Sequence, residues 1–114
     1  ETMKVEIDAP HTPPRFTAAT FEAICQMTNE AASNAIRHAS ATHLQIQAYY
    51  NGSQFHVVIA DNGQGFDPEA AERHGGLGLR NIRQRARLHR GEVKIESAPG
   101  AGTRLCINVP VQTT

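Results

Sequence analysis

The sequence predicts an α+β domain, a two-layer α/β sandwich in which a mixed, mostly antiparallel sheet is covered on one face by helices. Apolar and polar residues alternate in five short segments, as in half-buried strands. In two longer segments apolar residues recur at intervals of three and four, as on amphipathic helices. Turn signals join most of the strand-like segments directly, which favours hairpins and therefore antiparallel pairing.

Length and composition fit a single globular unit. The 114 residues are predicted to form one domain, residues 1–114, because the chain is too short for two cores. Its net charge of zero and its aromatic content of 5% give no case for a nucleic acid or an anionic membrane as partner. Cys25 and Cys106 lack a second pair for a metal site and are predicted to be buried free thiols.

The first half of the chain is predicted to form a strand, a helix and a hairpin. Residues 3–8 alternate as a strand and lead into a proline-rich loop. A helix is predicted from about residue 17 to residue 39. Its apolar face is predicted to contain Phe21, Ile24, Cys25, Thr28, Ala32, Ala35 and Ile36. Strands at 44–50 and 55–59 then flank the turn at 51–53.

The second half begins with a loop. Residues 61–76 are rich in Gly, Asp, Asn and Pro, and a short helical stretch is predicted within them at 68–73. A second helix is predicted from about residue 77 to residue 88. The last two strands, around 93–95 and 105–109, are joined by a turn at 99–102.

Polar residues on the long helix form the first candidate site. Glu30, Asn34, Arg37 and His38 share the face opposite the apolar stripe. A solvated polar face is the alternative. Asn34 is a poor helix former at a position where Lys or Glu would suit water better. A carboxylate, an amide oxygen and two potential cations together suit a magnesium–phosphate ligand.

A second candidate follows the strand that ends at residue 60. Asp61 places a carboxylate at the end of this strand, and Gly63 and Gly65 let the backbone approach a planar ligand closely. A plain turn is the alternative. A calcium loop is excluded, because two ligand positions are glycines and Phe66 stands where such a loop requires glycine.

Two glycine-rich segments complete the candidates. Residues 75–81 (GGLGLRN) run into a helix, whose N-terminal N–H groups can bind phosphate. This segment matches neither the Walker loop nor the dinucleotide-binding motif. Residues 100–103 (GAGT) are predicted to form either a plain hairpin turn or a part of the same binding site as the other three segments.

In this order and spacing, the four segments resemble the nucleotide site of the GHKL ATPase superfamily, which includes DNA gyrase B subunits, Hsp90-type chaperones, MutL proteins and histidine kinases. Residues 29–39 (NEAASNAIRHA), 78–86 (GLRNIRQRA) and 97–103 (SAPGAGT) resemble the boxes of NarX-like and DesK-like sensor histidine kinases. The resemblance covers roughly residues 3–110. It implies the Bergerat ATP-binding fold. Residues 88–91 (LHRG) depart from the Leu-Gly-Gly of relatives, which puts the turn there in doubt.

The resemblance also implies roles for the residues at matching positions. Asp61 would accept a hydrogen bond from the adenine amino group with support from Thr103, and Gly63 and Gly65 would shape the adenine pocket. Asn34 would ligate magnesium, and Glu30 would be the catalytic base or would orient the nucleophile. The remaining ATP-binding residues would be Arg37, His38, Gly76, Leu77, Gly78 and Leu79. Residues 66–76 would form a lid.

The function that the resemblance implies is the catalytic half of a protein-histidine kinase. With ATP and magnesium, the domain would phosphorylate a histidine on a separate dimerisation domain, and a response regulator would act downstream. None of the six histidines has the setting of that acceptor. We therefore expect a cytoplasmic fragment that is monomeric by itself. Its parent would be a homodimeric sensor kinase, in which a segment upstream of this chain could be an inner-membrane anchor. The alternatives are an anti-sigma-factor kinase, a nucleotide-dependent switch and a degenerate docking module of the same fold.

Overall fold

The computed structural model describes residues 3–10, 14–38, 40–75 and 77–111. Within this part, five strands and three helices follow one another along the chain. They are β1 (Lys4–Asp8), α1 (Ala18–His38), β2 (His43–Asn51), β3 (Gln54–Asp61), α2 (Pro68–His74), α3 (Leu79–Leu88), β4 (Glu92–Ser97) and β5 (Thr103–Pro110). The predicted α+β class and the short helix in the predicted loop are confirmed.

The strands form one mixed sheet in the order β1-β2-β3-β5-β4. β1 pairs parallel to β2, and the other three pairings are antiparallel. The register of β3 against β5 makes Asp61 and Thr103 cross-strand partners. Directly opposed residues share one face of a sheet, so these two predicted site residues lie side by side.

The hydrophobic core lies between one face of the sheet and the helices α1 and α3. Alternate residues of the central strands point into it, as the period of a strand requires. From β3 these are Phe55, Val57 and Ile59, and from β5 they are Leu105, Ile107 and Val109. Met27 of α1 and Ala86 of α3 are fully buried against this layer. The two-layer sandwich predicted from the sequence is therefore present.

The buried face of α1 is narrower than its apolar stripe. The buried residues of this helix are Thr20, Ala23, Ile24, Met27, Ala31 and Ala35. The prediction was wrong for Phe21 and Ile36, which are 57% and 61% exposed, and for Cys25, which is also exposed. The arc that the sheet and α3 cover includes the small residues Ala23, Ala31 and Ala35, which let the helix approach closely. Phe21 and Ile36 lie outside this arc.

Hydrogen bonds tie the start of α1 to the end of α3. The Thr17 hydroxyl oxygen accepts from the Thr20 N–H at 3.2 Å, which caps α1. The hydroxyl of buried Thr20 lies 3.1 Å from His89 Nδ1, just after α3. The turn that the sequence had put in doubt is formed, because the Gly91 N–H reaches the Ala86 carbonyl at 2.7 Å. Arg90 takes the left-handed conformation there, with φ 62°.

Candidate functional site

A cavity of about 150 Å³ opens between α1, the ends of β3 and β5, and the loops that lead into α2 and α3. Most of its surface is apolar. The lining residues are Ala31, Asn34 and Ala35 of α1, Ile59, Asp61, Thr103 and Leu105 of the sheet, and Gln64, Gly65, Phe66, Leu77 and Leu79. An apolar pocket with few polar groups is the usual form of a small-molecule site.

Asp61 supplies a carboxylate to the strand end of the cavity. Its Oδ1 accepts a hydrogen bond from the Gly63 N–H at 2.8 Å, which closes the local turn. Its Oδ2 has no hydrogen bond to the described part of the chain. One carboxylate oxygen is thus held by the backbone, and the other can accept from a ligand. Gly63 acts through its N–H, since it does not itself line the cavity.

Two glycines allow the loops around Asp61 to pack against one another. A Cβ at Gly65 would overlap the Ala98 carbonyl, and a Cβ at Gly102 would overlap the carbonyl of Asp61. Both glycines have positive φ, 67° and 73°, which also disfavours a side chain. Gly65 therefore lets its loop pack against the β4–β5 hairpin, and it also lines the cavity.

Ser97 was not among the predicted site residues, although it holds one of them. Its Oγ lies 2.9 Å from the Thr103 Oγ1, accepts from the Phe66 N–H at 2.9 Å and donates to the Gly102 carbonyl at 2.9 Å. The signal in the sequence was its position as the first residue of the segment 97–103. In the structure Ser97 is the cross-strand partner of Thr103.

Asn34 connects α1 to the glycine-rich segment. Its side chain Nδ2 donates to the Leu77 carbonyl at 2.6 Å. Because a carbonyl can only accept, the amide nitrogen faces Leu77 and the side-chain Oδ1 remains available to a ligand. Leu77 and Leu79 both line the cavity.

Glu30 lies one turn before Asn34 and borders a different depression. This polar cleft of about 400 Å³ lies between α1 and α3, and its walls include Glu30, Ser33, Asn81 and Arg85. A Cβ at Gly78 would overlap the Glu30 carboxylate, so the two residues are in close contact. The same helix therefore presents Asn34 to the apolar cavity and Glu30 to the polar cleft.

The N-terminus of α3 follows Gly78 directly. Gly78 is its N-cap, with φ 67°, and no side chain caps the helix or adds an acidic group to its first turn. The first N–H groups of such a helix lack intrahelical partners and favour an anion.

The remaining predicted site residues are Arg37, His38 and Gly76. Arg37 is exposed and borders neither the cavity nor the polar cleft. Gly76 and the side chain of His38 lie outside the described residues.

The family described as histidine kinase-, DNA gyrase B-, and HSP90-like ATPases matches residues 20–113. The chain belongs to this family. The cavity is therefore the candidate nucleotide site of a domain of this family. None of the described helices is long and apolar enough to cross a membrane.

Two curated relatives are similar to this chain over a part of their own length. An uncharacterized sensor-like histidine kinase of Chloroflexus aurantiacus is 43% identical over 96 residues, which are 80% of this chain and 16% of the relative. The signal transduction histidine-protein kinase/phosphatase DegS of Brevibacillus brevis is 32% identical over 99 residues, 87% of this chain and 25% of the relative. The chain spans a small part of either protein.

Solved structures share the fold of the ATPase domain. The histidine kinase domain of the Erythrobacter litoralis EL346 blue-light activated histidine kinase has a TM-score of 0.83 and 24% identity, covering 96% of this chain and 52% of that one. The Acinetobacter baumannii histidine kinase AdeS has a TM-score of 0.80 and 21% identity, covering 98% and 56%.

Proposed function

We propose that this domain binds magnesium–ATP and supplies the γ-phosphate that modifies a histidine on a separate dimerisation domain of its parent kinase. The observation that carries the proposal is the Asp61 Oδ2, which accepts no hydrogen bond from the described residues and lies at the end of a mostly apolar cavity. An adenine ring is flat and apolar on its faces, and its 6-amino group donates hydrogen bonds. The cavity offers matching apolar walls and a matching acceptor.

The proposed phosphate end lies toward α3. The uncapped N–H groups after Gly78 suit a phosphate chain. Asn34 Oδ1 is the proposed protein ligand of magnesium, which neutralises phosphate charge when bound. The described residues hold no cluster of three or more His, Cys, Asp or Glu that could bind a metal unaided. A magnesium ion carried by the nucleotide needs only one or two protein ligands.

Glu30 is the proposed catalytic residue. It borders the polar cleft beside Gly78, next to the proposed phosphate site, so the acceptor histidine is proposed to approach through this cleft. There Glu30 would act as a base or orient the attacking imidazole, and the rest of the site would provide positioning and charge compensation. Arg37, His38 and Gly76 stay predicted phosphate contacts.

The parent protein is proposed to be a homodimeric sensor kinase of the NarX/DesK-like kind that works through a response regulator. The two curated relatives, which carry kinase names, support this proposal. The domain itself is proposed to be cytoplasmic and monomeric.

The first test is calorimetric titration of the domain with magnesium and a non-hydrolysable ATP analogue. Asp61→Asn should weaken binding by about 1–3 kcal/mol, because an amide cannot replace both carboxylate acceptors. Asp8→Asn makes the same chemical change on exposed β1 and should leave the affinity unchanged. A folded wild-type domain that does not bind the analogue contradicts the proposal.

The second test separates binding from transfer. Glu30→Gln should retain the affinity for the analogue but lose phosphorylation of a separately supplied dimerisation domain. Binding by the wild type without any transfer to that domain would favour a nucleotide-dependent switch of the same fold.

A further inference from the structure

We propose that Ser97 sets the hydrogen-bond polarity of Thr103, so that the strand end of the cavity selects a purine with a 6-amino group over one with a 6-oxo group. Ser97 would thus be a positioning residue that acts through Thr103. The proposal rests on the proposed nucleotide site and adds to it a residue that does not line the cavity.

The direction of each hydrogen bond at Ser97 follows from its partners. The Phe66 N–H can only donate, at 2.9 Å, and the Gly102 carbonyl can only accept, also at 2.9 Å. A serine hydroxyl has one proton and two lone pairs. The proton goes to Gly102, and Phe66 takes one lone pair. The contact of 2.9 Å with Thr103 is then satisfied in only one way, with the Thr103 hydroxyl donating to Ser97.

The Thr103 proton is thus engaged by Ser97, and no described side chain donates to the Thr103 lone pairs. Its side chain lines the cavity next to Asp61, its cross-strand partner, whose Oδ2 is also an acceptor. The two polar groups that the strands bring to this end of the cavity therefore both accept. A 6-amino group can donate to them, whereas a 6-oxo group offers only another acceptor, and an acceptor that meets an acceptor leaves buried groups unpaired.

Packing keeps the Ser97 hydroxyl in this arrangement. Ser97 and Thr103 are the terminal pair of the β4–β5 hairpin. Gly102 lies against the Asp61 carbonyl without room for a side chain. The Gly102 carbonyl, which accepts the Ser97 proton, is thus held against β3, the strand that carries Asp61. The direction of the hydrogen bond between Thr103 and Ser97 therefore follows from the packing of the backbone.

The test compares the affinities of ADP and inosine diphosphate, which differ at the 6-position of the purine, by calorimetry with magnesium. The wild type should prefer ADP. Ser97→Ala frees the Thr103 proton to donate to a 6-oxo group, so the ratio of the two affinities should fall by about threefold to tenfold. Ser97→Thr keeps the hydroxyl and should keep the ratio. Ser53→Ala, an exposed serine in the β2–β3 hairpin, is the matched control and should not change it.

A double-mutant comparison identifies Thr103 as the mediator. In a Thr103→Val background, Ser97→Ala should no longer alter the ratio, whereas a general loosening of the hairpin would still do so. An unchanged ratio in folded Ser97→Ala overturns the inference and leaves the proposed function intact. If Ser97→Ala does not fold, Thr103→Val must lower the ratio and Thr103→Ser must keep it, or the inference is wrong. A folded wild type that binds neither nucleotide overturns both proposals.

Discussion

Gly78 and Glu30 are in such close contact that any side chain at residue 78 would overlap the Glu30 carboxylate. Gly78 also has φ 67°, a conformation that few residues other than glycine adopt. The glycine-rich segment is therefore shaped by contact with α1 as well as by its own backbone. The start of α3 thus lies beside the side chain proposed for catalysis.

Gly78→Ala should impair nucleotide binding more than Gly75→Ala. Gly75 has nearly the same φ, 69°, but a Cβ there would meet nothing within 4 Å. Gly75→Ala should thus cost only the strain of the left-handed conformation, about 1 kcal/mol. Gly78→Ala adds an overlap with the flexible end of the Glu30 side chain, and its strain falls at the N-cap of α3, beside the proposed phosphate site. It should therefore weaken the binding of an ATP analogue about threefold further, or about 0.7 kcal/mol. Calorimetry and urea denaturation of both variants measure the difference, and equal effects would contradict the proposed contact.

The ion pair between Glu72 and Arg83 holds α2 onto α3. Both side chains are about one-third exposed, at 31% and 34%, and Arg83 Nη1 also donates to the Val93 carbonyl of β4 at 2.8 Å. Glu72→Gln should lower the free energy of unfolding by about 0.5–1 kcal/mol, and the loss should shrink at high salt. Since α2 belongs to the predicted lid, the affinity for the nucleotide should fall as well.

The chain offers a matched control for this pair. Glu96 and Arg104 form an ion pair whose side chains are 77% and 56% exposed. Glu96→Gln should change the stability little, because solvent screens an exposed pair. If both substitutions have the same effect in urea denaturation, the Glu72–Arg83 pair does not hold α2.

The sequence predicted the fold and much of the cavity because both depend on local patterns. The alternation of apolar and polar residues located the strands. The turn residues between the strands predicted where each strand ends, and Asp61 and Thr103 lie at the same end of the sheet as cross-strand partners. The buried face of α1 was less predictable, since it depends on which small residues let the helix approach the sheet. Phe21 and Ile36 are as apolar as the core, yet they lie beyond its edge.

The part of the site that the sequence missed depends on contacts across space. Ser97 acts through three hydrogen bonds to loops and strands that lie five or more positions away. No pattern of polarity distinguishes it from other serines in turns. The same holds for the separation of Glu30 and Asn34, because a helical wheel shows their shared face but not that Gly78 is packed against Glu30.

The two cysteines should react at different rates. Cys25 is exposed on α1. Cys106 is half-buried on the sheet face opposite the core, and burial raises the pKa of its thiol. Because the thiolate is the reactive form, Cys106 should need a higher pH than a free thiol for alkylation. Mass spectrometry of iodoacetamide-treated protein should show Cys25 modified first, and concentrated urea should remove the difference. Equal rates in the folded protein would contradict the burial of Cys106.

Arg90→Gly should stabilise the domain. Arg90 has φ 62° in the turn between α3 and β4. A left-handed conformation costs a residue with a Cβ about 1–2 kcal/mol, and glycine avoids this strain. Glycine also gives the unfolded chain more freedom, which offsets about 0.4–1 kcal/mol of the gain. A net increase of about 0.5–1 kcal/mol in the free energy of unfolding is expected. Urea denaturation measures it, with Arg87→Gly in the exposed last turn of α3 as a control that should destabilise, because glycine disfavours a helix. A loss of stability in Arg90→Gly would mean that contacts of the arginine side chain outweigh the strain of its backbone.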